Sequence, residues 1–324
     1  MSVLRVTFLG TASSRPTVRR NVSSLALQRE GDAFLLDCGE GTQRQMMRFG
    51  VGFRVEEVFL THLHADHYLG IIGLVRTMSL QGREDPLVVW APPGGSDTVR
   101  SAVDLGGDRI LFDVEVRELR PGESMRREAY RIEAYATRHT RGSIGLVVAE
   151  DDRLGRFDPA RARELGVPEG PLFGRLHRGE PVELEDGTVV RPDEVVGEPR
   201  PGRRMVYTGD TRPCAATVEA AGGADLLIHE ATFGEPEAER AADTGHSTAR
   251  EAARVAEEAG VRRLALTHFS ARYSEQAHRL GREAAKVFPD PVVAEDGMTV
   301  EVPFREQDRE PGVVSRRTSG GGGP

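Results

Sequence analysis

Cysteine is scarce in this chain of 324 residues: Cys38 and Cys214 are too few for a disulfide framework or a four-thiolate zinc site, which points to a reducing compartment. Lysine is scarcer still. Lys286 stands alone, so nearly all positive charge is guanidinium, a group suited to phosphate contact, although a biased codon composition gives the same result. Positive charge is itself in deficit, with 43 basic against 51 acidic residues and a formal net charge of −8. Such a chain does not coat nucleic acid by bulk charge, and any polyanion must meet a local basic patch. No apolar run reaches the length of a membrane span, and the opening Met1–Arg5 has neither a basic leader region nor a cleavage site, so the expectation is a cytoplasmic protein with no membrane partner. The 38% hydrophobic and 29% charged residues suit a globular fold of one large α/β domain or two modest ones.

Short apolar or β-branched runs bounded by turn residues predict strands at Val3–Leu9, Ala33–Asp37, Val58–Thr61, Leu87–Ala91, Ile132–Thr137, Ile144–Ala149, Met205–Thr208, Leu226–His229 and Leu264–Thr267. Helical patterns lie between several of them, including Leu69–Leu80 and Thr248–Glu258, the latter opening on the capping box Thr248-x-x-Glu251 and ending at Gly260. Mixed strands and helices give an α/β class. Residues 151–204 break the pattern with glycine, proline and charge and little core of their own, which reads as a functional insertion. Six arginines and His177 between Arg153 and Arg178 make its outer part locally basic, while acids follow from Glu180 to Glu198. The insertion divides the folded domain into 1–150 and 205–305, and residues 306–324 read as a flexible C-terminal tail.

Chemistry concentrates at strand ends. Thr61-His62-Leu63-His64-Ala65-Asp66-His67 follows a strand and puts four potential metal ligands in one tight turn. Imidazole nitrogen with carboxylate oxygen suits zinc or manganese. One such cluster cannot complete two metal spheres, and further ligands stand after other strands: His139, Asp210 and His268.

His-x-His-x-Asp-His followed by distant His, Asp and His resembles the metallo-β-lactamase superfamily. The resemblance implies a four-layer αβ/βα sandwich holding two metals at one edge. His62, His64 and His139 would hold the first metal and Asp66, His67 and His268 the second, with Asp210 bridging. It implies two Zn2+ per subunit, with Mn2+ as the alternative, and a shared water acidified between them. Three further stretches are similar to the ribonuclease Z family of tRNA 3′-processing endonucleases: His229-Glu230-Ala231-Thr232, Thr244-Gly245-His246-Ser247-Thr248-Ala249, and His268-Phe269-Ser270-Ala271-Arg272-Tyr273. So is Pro16–Asn21 with Val22-Ser23-Ser24, and the likeness runs from Leu4 to about Pro303.

That likeness implies removal of the 3′ trailer from precursor tRNA after the discriminator nucleotide, leaving a tRNA 3′-hydroxyl and a trailer 5′-phosphate. Asp66 would be ligand and proton acceptor, and His246, assisted by Glu230, the general acid; without the likeness His246 reads equally as a residue at a helix start. Arg272 and Ser270 would reach the scissile phosphate or acceptor stem, or else form loop contacts, and Arg19 and Arg20 sit in the loop that meets the substrate 3′ end. The insertion would be a flexible arm gripping tRNA through Gly170, Pro171 and Gly174, working in a homodimer. His229 reads as a supporting residue or a buried histidine, His177 and His278 as surface residues, and the cysteines as ordinary small residues of the core or near the site. Val18 stands where the family carries lysine, which puts rejection of CCA-bearing tRNA in question. A small-molecule phosphodiesterase, lactonase or thioesterase would need neither the extra motifs nor the arm, and a non-catalytic tRNA-binding module would lack ligands that are present here.

Overall fold

Apolar runs separated by turns become the strands of two mixed sheets, packed as a sandwich with helices outside, as the α/β expectation requires. The structure, a computed structural model, describes residues 3–105, 109–305 and 314–316. The eight-stranded sheet runs in the order Val314–Arg316, Met298–Glu301, Leu4–Gly10, Ser24–Arg29, Asp32–Leu36, Glu57–Phe59, Leu87–Ala91, Val114–Glu118. The seven-stranded sheet runs Val292–Val293, Leu264–Thr267, Leu226–Glu230, Arg204–Tyr207, Ile144–Glu150, Tyr130–Ala136, Ser124–Arg126. Where neighbours are parallel, the strands are buried on both faces: all of Leu264–Thr267 and all of Leu226–Glu230 are buried.

Helix Gly70–Leu80 buries Ile71, Leu74, Val75 and Met78, spaced to form one stripe, in one cluster with Leu35, Val58 and Val89 of the first sheet and Leu60 just beyond it. Each such leucine or isoleucine removed from water is worth about 1.5–3 kcal/mol. The helix begins at glycine of necessity, since a Cβ at Gly70 would stand 1.9 Å from the carbonyl oxygen of Gly39. Helix Ala249–Glu258 turns Ala249, Ala252, Ala253, Val255 and Ala256 inward, and its capping box forms as the sequence predicts, Thr248 accepting from the Glu251 amide while Glu251 accepts from that of Thr248.

Strand limits differ from the sequence expectation where site residues intervene. The run Val58–Thr61 is a strand only over Glu57–Phe59, because the amide and hydroxyl of Thr61 both go to the Asp37 carboxylate. Met205–Thr208 likewise stops at Tyr207. Ser24–Arg29, Val114–Glu118 and Met298–Glu301 are strands without the apolar run that betrays the others.

The chain separates into two units, the second made of Glu128–Tyr130 and Ala149–Arg203. Expected to have little core, this inserted unit has one: Ala162, Val167, Leu176, Val182, Val190 and Val195 are buried together, with the tilted rings of Phe157 and Phe173 4.9 Å apart. Helices Pro159–Glu164 and Pro171–His177 and the hairpin Val182–Glu183 with Val189–Val190 frame it. Hydrophobic residues at scattered rather than periodic positions build this core, which is why composition concealed it. Its basic stretch is also less free than expected, since Arg161 pairs with Glu164, Arg163 with Glu169, and Arg175 and Arg178 with Glu180. The tail is not wholly without structure either: Val314–Arg316 pairs antiparallel with Met298–Glu301, while the remainder of 306–324, including the glycine run, lies outside the described residues.

Candidate metal centre

Eight ligand-type residues, the seven metal ligands expected from the sequence together with His246, converge beyond strand ends of both sheets. His62, His64, His139 and Asp210 form one group, Asp66, His67 and His268 a second, and Asp210, His246 and His268 a third, with ligand atoms inside each group all within 4.8 Å of one another. Asp210 is common to two groups: its Oδ2 lies 3.5 Å from His62 Nε2 and 3.3 Å from His67 Nε2, and its Oδ1 lies 3.3 Å from His268 Nε2. Gly209 allows this approach. Its φ is +57°, and a Cβ there would meet Thr61 at 2.7 Å.

The outer ring nitrogens decide how the histidines face. His67 Nδ1 donates to Asp37 Oδ2 at 2.8 Å, and His139 Nδ1 to the carbonyl of Gly245 at 2.9 Å. His268 Nδ1 contacts Thr232 Oγ1 at 2.9 Å and His62 Nδ1 contacts Thr61 Oγ1 at 3.1 Å. Each therefore turns Nε2 inward, a partner on one nitrogen fixing the tautomer of the other. His64 presents Nδ1 instead, 3.0 Å from His139 Nε2.

This donor set fits a divalent metal. With Nδ1 donating, the Nε2 of His139 is a bare lone pair facing another imidazole nitrogen, and His67 Nε2 faces His268 Nε2 at 3.2 Å. His62 Nε2 and Asp210 Oδ1 are buried polar atoms with no hydrogen-bond partner among the described residues. Buried lone pairs without donors are costly unless a cation shares them.

Electrostatics point the same way. Burial holds the His62 imidazolium well below its usual pKa, the neutral form a ligand requires. Burial alone would raise the Asp210 carboxyl, but His268 and His67 hold it well below the usual carboxylate range. His67 is the converse: burial opposes its charge, yet Asp210, Asp37 and Asp66 raise it well above an ordinary histidine.

His246 and Glu230 stand beside the ligand groups as a buried pair. Glu230 Oε1 accepts from His246 Nδ1 at 2.8 Å and from the Thr211 amide at 3.0 Å, while Oε2 accepts from the Thr232 hydroxyl at 2.7 Å. Burial by itself would lower His246, but the Glu230 carboxylate overrides it and raises the pKa to about 9. Arg212 secures the segment, donating to the His246 carbonyl and pairing with both oxygens of Glu251. Asp66 Oδ2 accepts from the Ser14 amide at 2.6 Å. His268 takes a φ of +59°, a strained backbone for a non-glycine residue at a ligand position.

Other expectations fare differently. Arg20 is not an open RNA contact: it is 8% exposed, its guanidinium donates to Thr11 Oγ1 and to the carbonyls of Ala294 and Ser274, and it lies over the Phe269 ring at 5.0 Å. The guanidinium is consumed in joining the loop after the first strand to the loop after His268. Arg19 is exposed and 3.4 Å from Glu275, Arg272 is exposed and 4.0 Å from Glu237, and Ser270 gives its amide to the Thr232 carbonyl. Gly170, at φ +134°, precedes the helix Pro171–His177, which contains Gly174, in the inserted unit. His229 belongs to no ligand group; its Nδ1 donates to the Glu230 carbonyl at 2.7 Å, and burial lowers its pKa. His177 is half-buried, its ring 3.1 Å from the Gly155 carbonyl. Burial pushes the Cys38 thiol up to about 12, so it is inert.

Sequence reading missed Asp37. This fully buried carboxylate accepts from the Thr61 amide (2.8 Å), the Thr61 hydroxyl (3.0 Å), His67 Nδ1 (2.8 Å) and the Tyr207 hydroxyl (2.8 Å). Its signal was available, an aspartate at the end of a strand like Asp210, but it lies 25 residues before the histidine motif and has no metal-ligand spacing. A cavity of about 1190 Å3, lined by Arg54, Glu57, Arg83, Asp85 and Arg127 among others, includes none of the ligands.

Residues 186–269 match the family described as beta-lactamase superfamily domain, and residues 4–155 the family described as Anti-Pycsar protein Apyc1. A ribonuclease Z of Gemmatimonas aurantiaca is 57% identical over 94% of this chain and 98% of its own length. A ribonuclease Z of Haloferax volcanii is 54% identical over 94% of this chain and 97% of its own. The crystal structure of human tRNase Z, short form, is 28% identical and superposes with a TM-score of 0.67 over 93% of this chain and all of that one.

Proposed function

Because this chain belongs to the ribonuclease Z family, we propose that its histidine and aspartate centre performs the family's reaction, with Asp66, Glu230 and His246 in the catalytic roles. The protein is an endoribonuclease of tRNA 3′ processing. The observation that carries the assignment of roles is the convergence of the family's separate motifs on one centre, where the buried Glu230–His246 pair adjoins the ligand groups.

His62, His64 and His139 would hold one Zn2+ and Asp66, His67 and His268 another, with Asp210 shared, Mn2+ being the alternative. When bound, such ions neutralise charge on a phosphodiester and lower the pKa of a coordinated water. Asp66, its Oδ2 fixed by the Ser14 amide, orients the attacking water and accepts its proton. His246 enters as imidazolium because Glu230 holds Nδ1, which leaves Nε2–H to protonate the departing 3′ oxygen. The water oxygen bonds to phosphorus after the discriminator nucleotide as the bond to the 3′ oxygen breaks, giving a tRNA 3′-hydroxyl and a trailer 5′-phosphate.

The inserted unit, with Gly170, Pro171 and Gly174 at and within a helix, grips the body of the tRNA in this reading, and a homodimer presents the arm of one subunit to the other's substrate. Arg19, Arg272 and Ser270 lie on the surface that receives the substrate 3′ end. No helix among the described residues is long and apolar enough to cross a membrane, and the proposed compartment is the cytoplasm. The test is cleavage of a 3′-extended precursor tRNA by metal-analysed protein, with a chelator control and an Asp66→Ala control. One cut after the discriminator, lost in both controls, supports the reading; no cut by fully metallated protein overturns it.

A further inference from the structure

The arginines nominated from sequence motifs are largely occupied: Arg20 is buried, Arg19 faces Glu275 and Arg272 faces Glu237. Three others beside the centre are exposed, and their guanidinium groups have no hydrogen bond or ion pair among the described residues: Arg15, Arg138 and Arg141. Each stands on backbone that the site itself holds. Arg15 follows Ser14, whose amide binds Asp66, and its own amide donates to the Ser13 carbonyl at 2.7 Å. Arg138 precedes His139, its amide donating to Thr211 Oγ1 at 3.0 Å and its carbonyl accepting from the Arg212 amide at 2.8 Å. Arg141 sits on the tight turn closed by the Ser143 amide and the Thr140 carbonyl, with Gly142 at φ +84°.

On a chain of net charge −8, unpaired cations anchored at a centre that cuts a polyanion need an explanation. Arg15 adjoins the Asp66 and His268 side of the ligand set, and Arg138 and Arg141 the His64 and His139 side. A cavity of about 450 Å3 opens beside His139, lined by Arg138, Arg212, Thr244 and Gly245 with Asp243 as its one acid. That volume admits one nucleotide of a single strand.

We propose that Arg138 and Arg141 on one side and Arg15 on the other bind the backbone phosphates flanking the scissile bond, the cavity beside His139 receiving a flanking nucleotide. The inference rests on the endoribonuclease reading and adds the substrate subsites to it. Phosphate contacts position a strand without reading its sequence, so the three arginines act alike on all precursors.

The test is the slope of log kcat/KM against log salt concentration for cleavage of a 3′-extended precursor tRNA by the metallated enzyme. Each phosphate contact to a single strand contributes about 0.7 to that slope. The triple variant Arg15→Ala, Arg138→Ala, Arg141→Ala is expected to be shallower by about 2 and to lose roughly 10- to 100-fold in kcat/KM at low salt. The corresponding triple lysine variant, which keeps the charge, retains the slope. Arg100→Ala, removing an exposed arginine already paired with Asp97, leaves it unchanged. Should the triple variant melt lower than wild type, the three single variants carry the test, each shallower by about 0.7. A wild-type slope in variants of wild-type melting temperature and metal content overturns the inference while wild-type cleavage stands. Absence of cleavage by the wild type removes the endoribonuclease reading, and this one with it.

Discussion

Asp37→Asn replaces an acceptor-only group with one that must also donate, and the geometry leaves the amide no comfortable orientation. Oδ2 of the carboxylate receives three donors, from the Thr61 hydroxyl, His67 and the Tyr207 hydroxyl, and Oδ1 receives the Thr61 amide. An asparagine NH2 at the Oδ2 position confronts all three. At the Oδ1 position it confronts only the Thr61 N–H, so the variant adopts that flip and leaves the Thr61 N–H and the new NH2 facing each other without an acceptor. The cost is about 1–3 kcal/mol, or roughly 2–8 °C in melting temperature for a domain of this size. His67 still finds an acceptor, now a weaker neutral one, so its ring is held less firmly in the tautomer that bares Nε2. Loss of a partner behind a metal-binding histidine lowers metal affinity about 10- to 100-fold. Competition against a graded chelator, read by metal content and by melting temperature in the same samples, measures both effects. Wild-type metal affinity together with wild-type melting would refute the argument that Asp37 sets the His67 ring; lower melting with unaltered affinity would reduce Asp37 to a structural carboxylate.

His246→Ala should lower kcat for precursor tRNA cleavage roughly 10²- to 10⁴-fold with metal content unchanged, checked by steady-state kinetics on metal-analysed protein. Since Glu230 raises the His246 pKa to about 9, activity that needs the imidazolium falls as pH rises through that value, and Glu230→Gln moves the alkaline limb of the kcat profile to lower pH. In the metal-free protein the same pairing contributes stability that is complete below the unfolded histidine pKa of about 6.5 and is lost as pH rises through about 9, which chelated samples melted across that window will register. Chelation should also lower the melting temperature, because an ion at 100 times its Kd adds about 2.7 kcal/mol to the folded state. Gly209→Ala, forcing φ +57° and a 2.7 Å clash with Thr61, should cost activity and stability together, the latter by about 1–3 kcal/mol in denaturant titration.

Much of the centre was legible because its ligands are local or sit at strand ends, where hydropathy changes abruptly. His62 to His67 announce themselves by spacing, and His139, Asp210 and His268 each follow an apolar run. What surrounds them was not legible. Asp37, Tyr207, Thr61 and Thr232 meet the ligands only through the packing of two sheets, and no local pattern reports a contact between residues 37 and 207. Arg20 misled for the same reason, since a basic residue in a loop motif reads as a surface group until three acceptors and the Phe269 ring close around it. Charge counting in the insertion failed similarly: the count is right, but glutamates nearby in sequence consume the arginines.

The outermost strands of the two large sheets are Val314–Arg316, Val114–Glu118, Val292–Val293 and Ser124–Arg126. Among the described residues, three of them offer no more than three residues of open backbone, and the longest carries Glu115, Arg117 and Glu118. Short or charged edges are poor templates for another strand. Among the described residues, the two large sheets therefore give a second copy of this chain little backbone to zip onto. The same arrangement resists edge-to-edge aggregation in the folded state, and removal of Val314–Arg316 would surrender part of that protection by leaving the strand Met298–Glu301, apolar at Met298 and Val300, at the rim of its sheet.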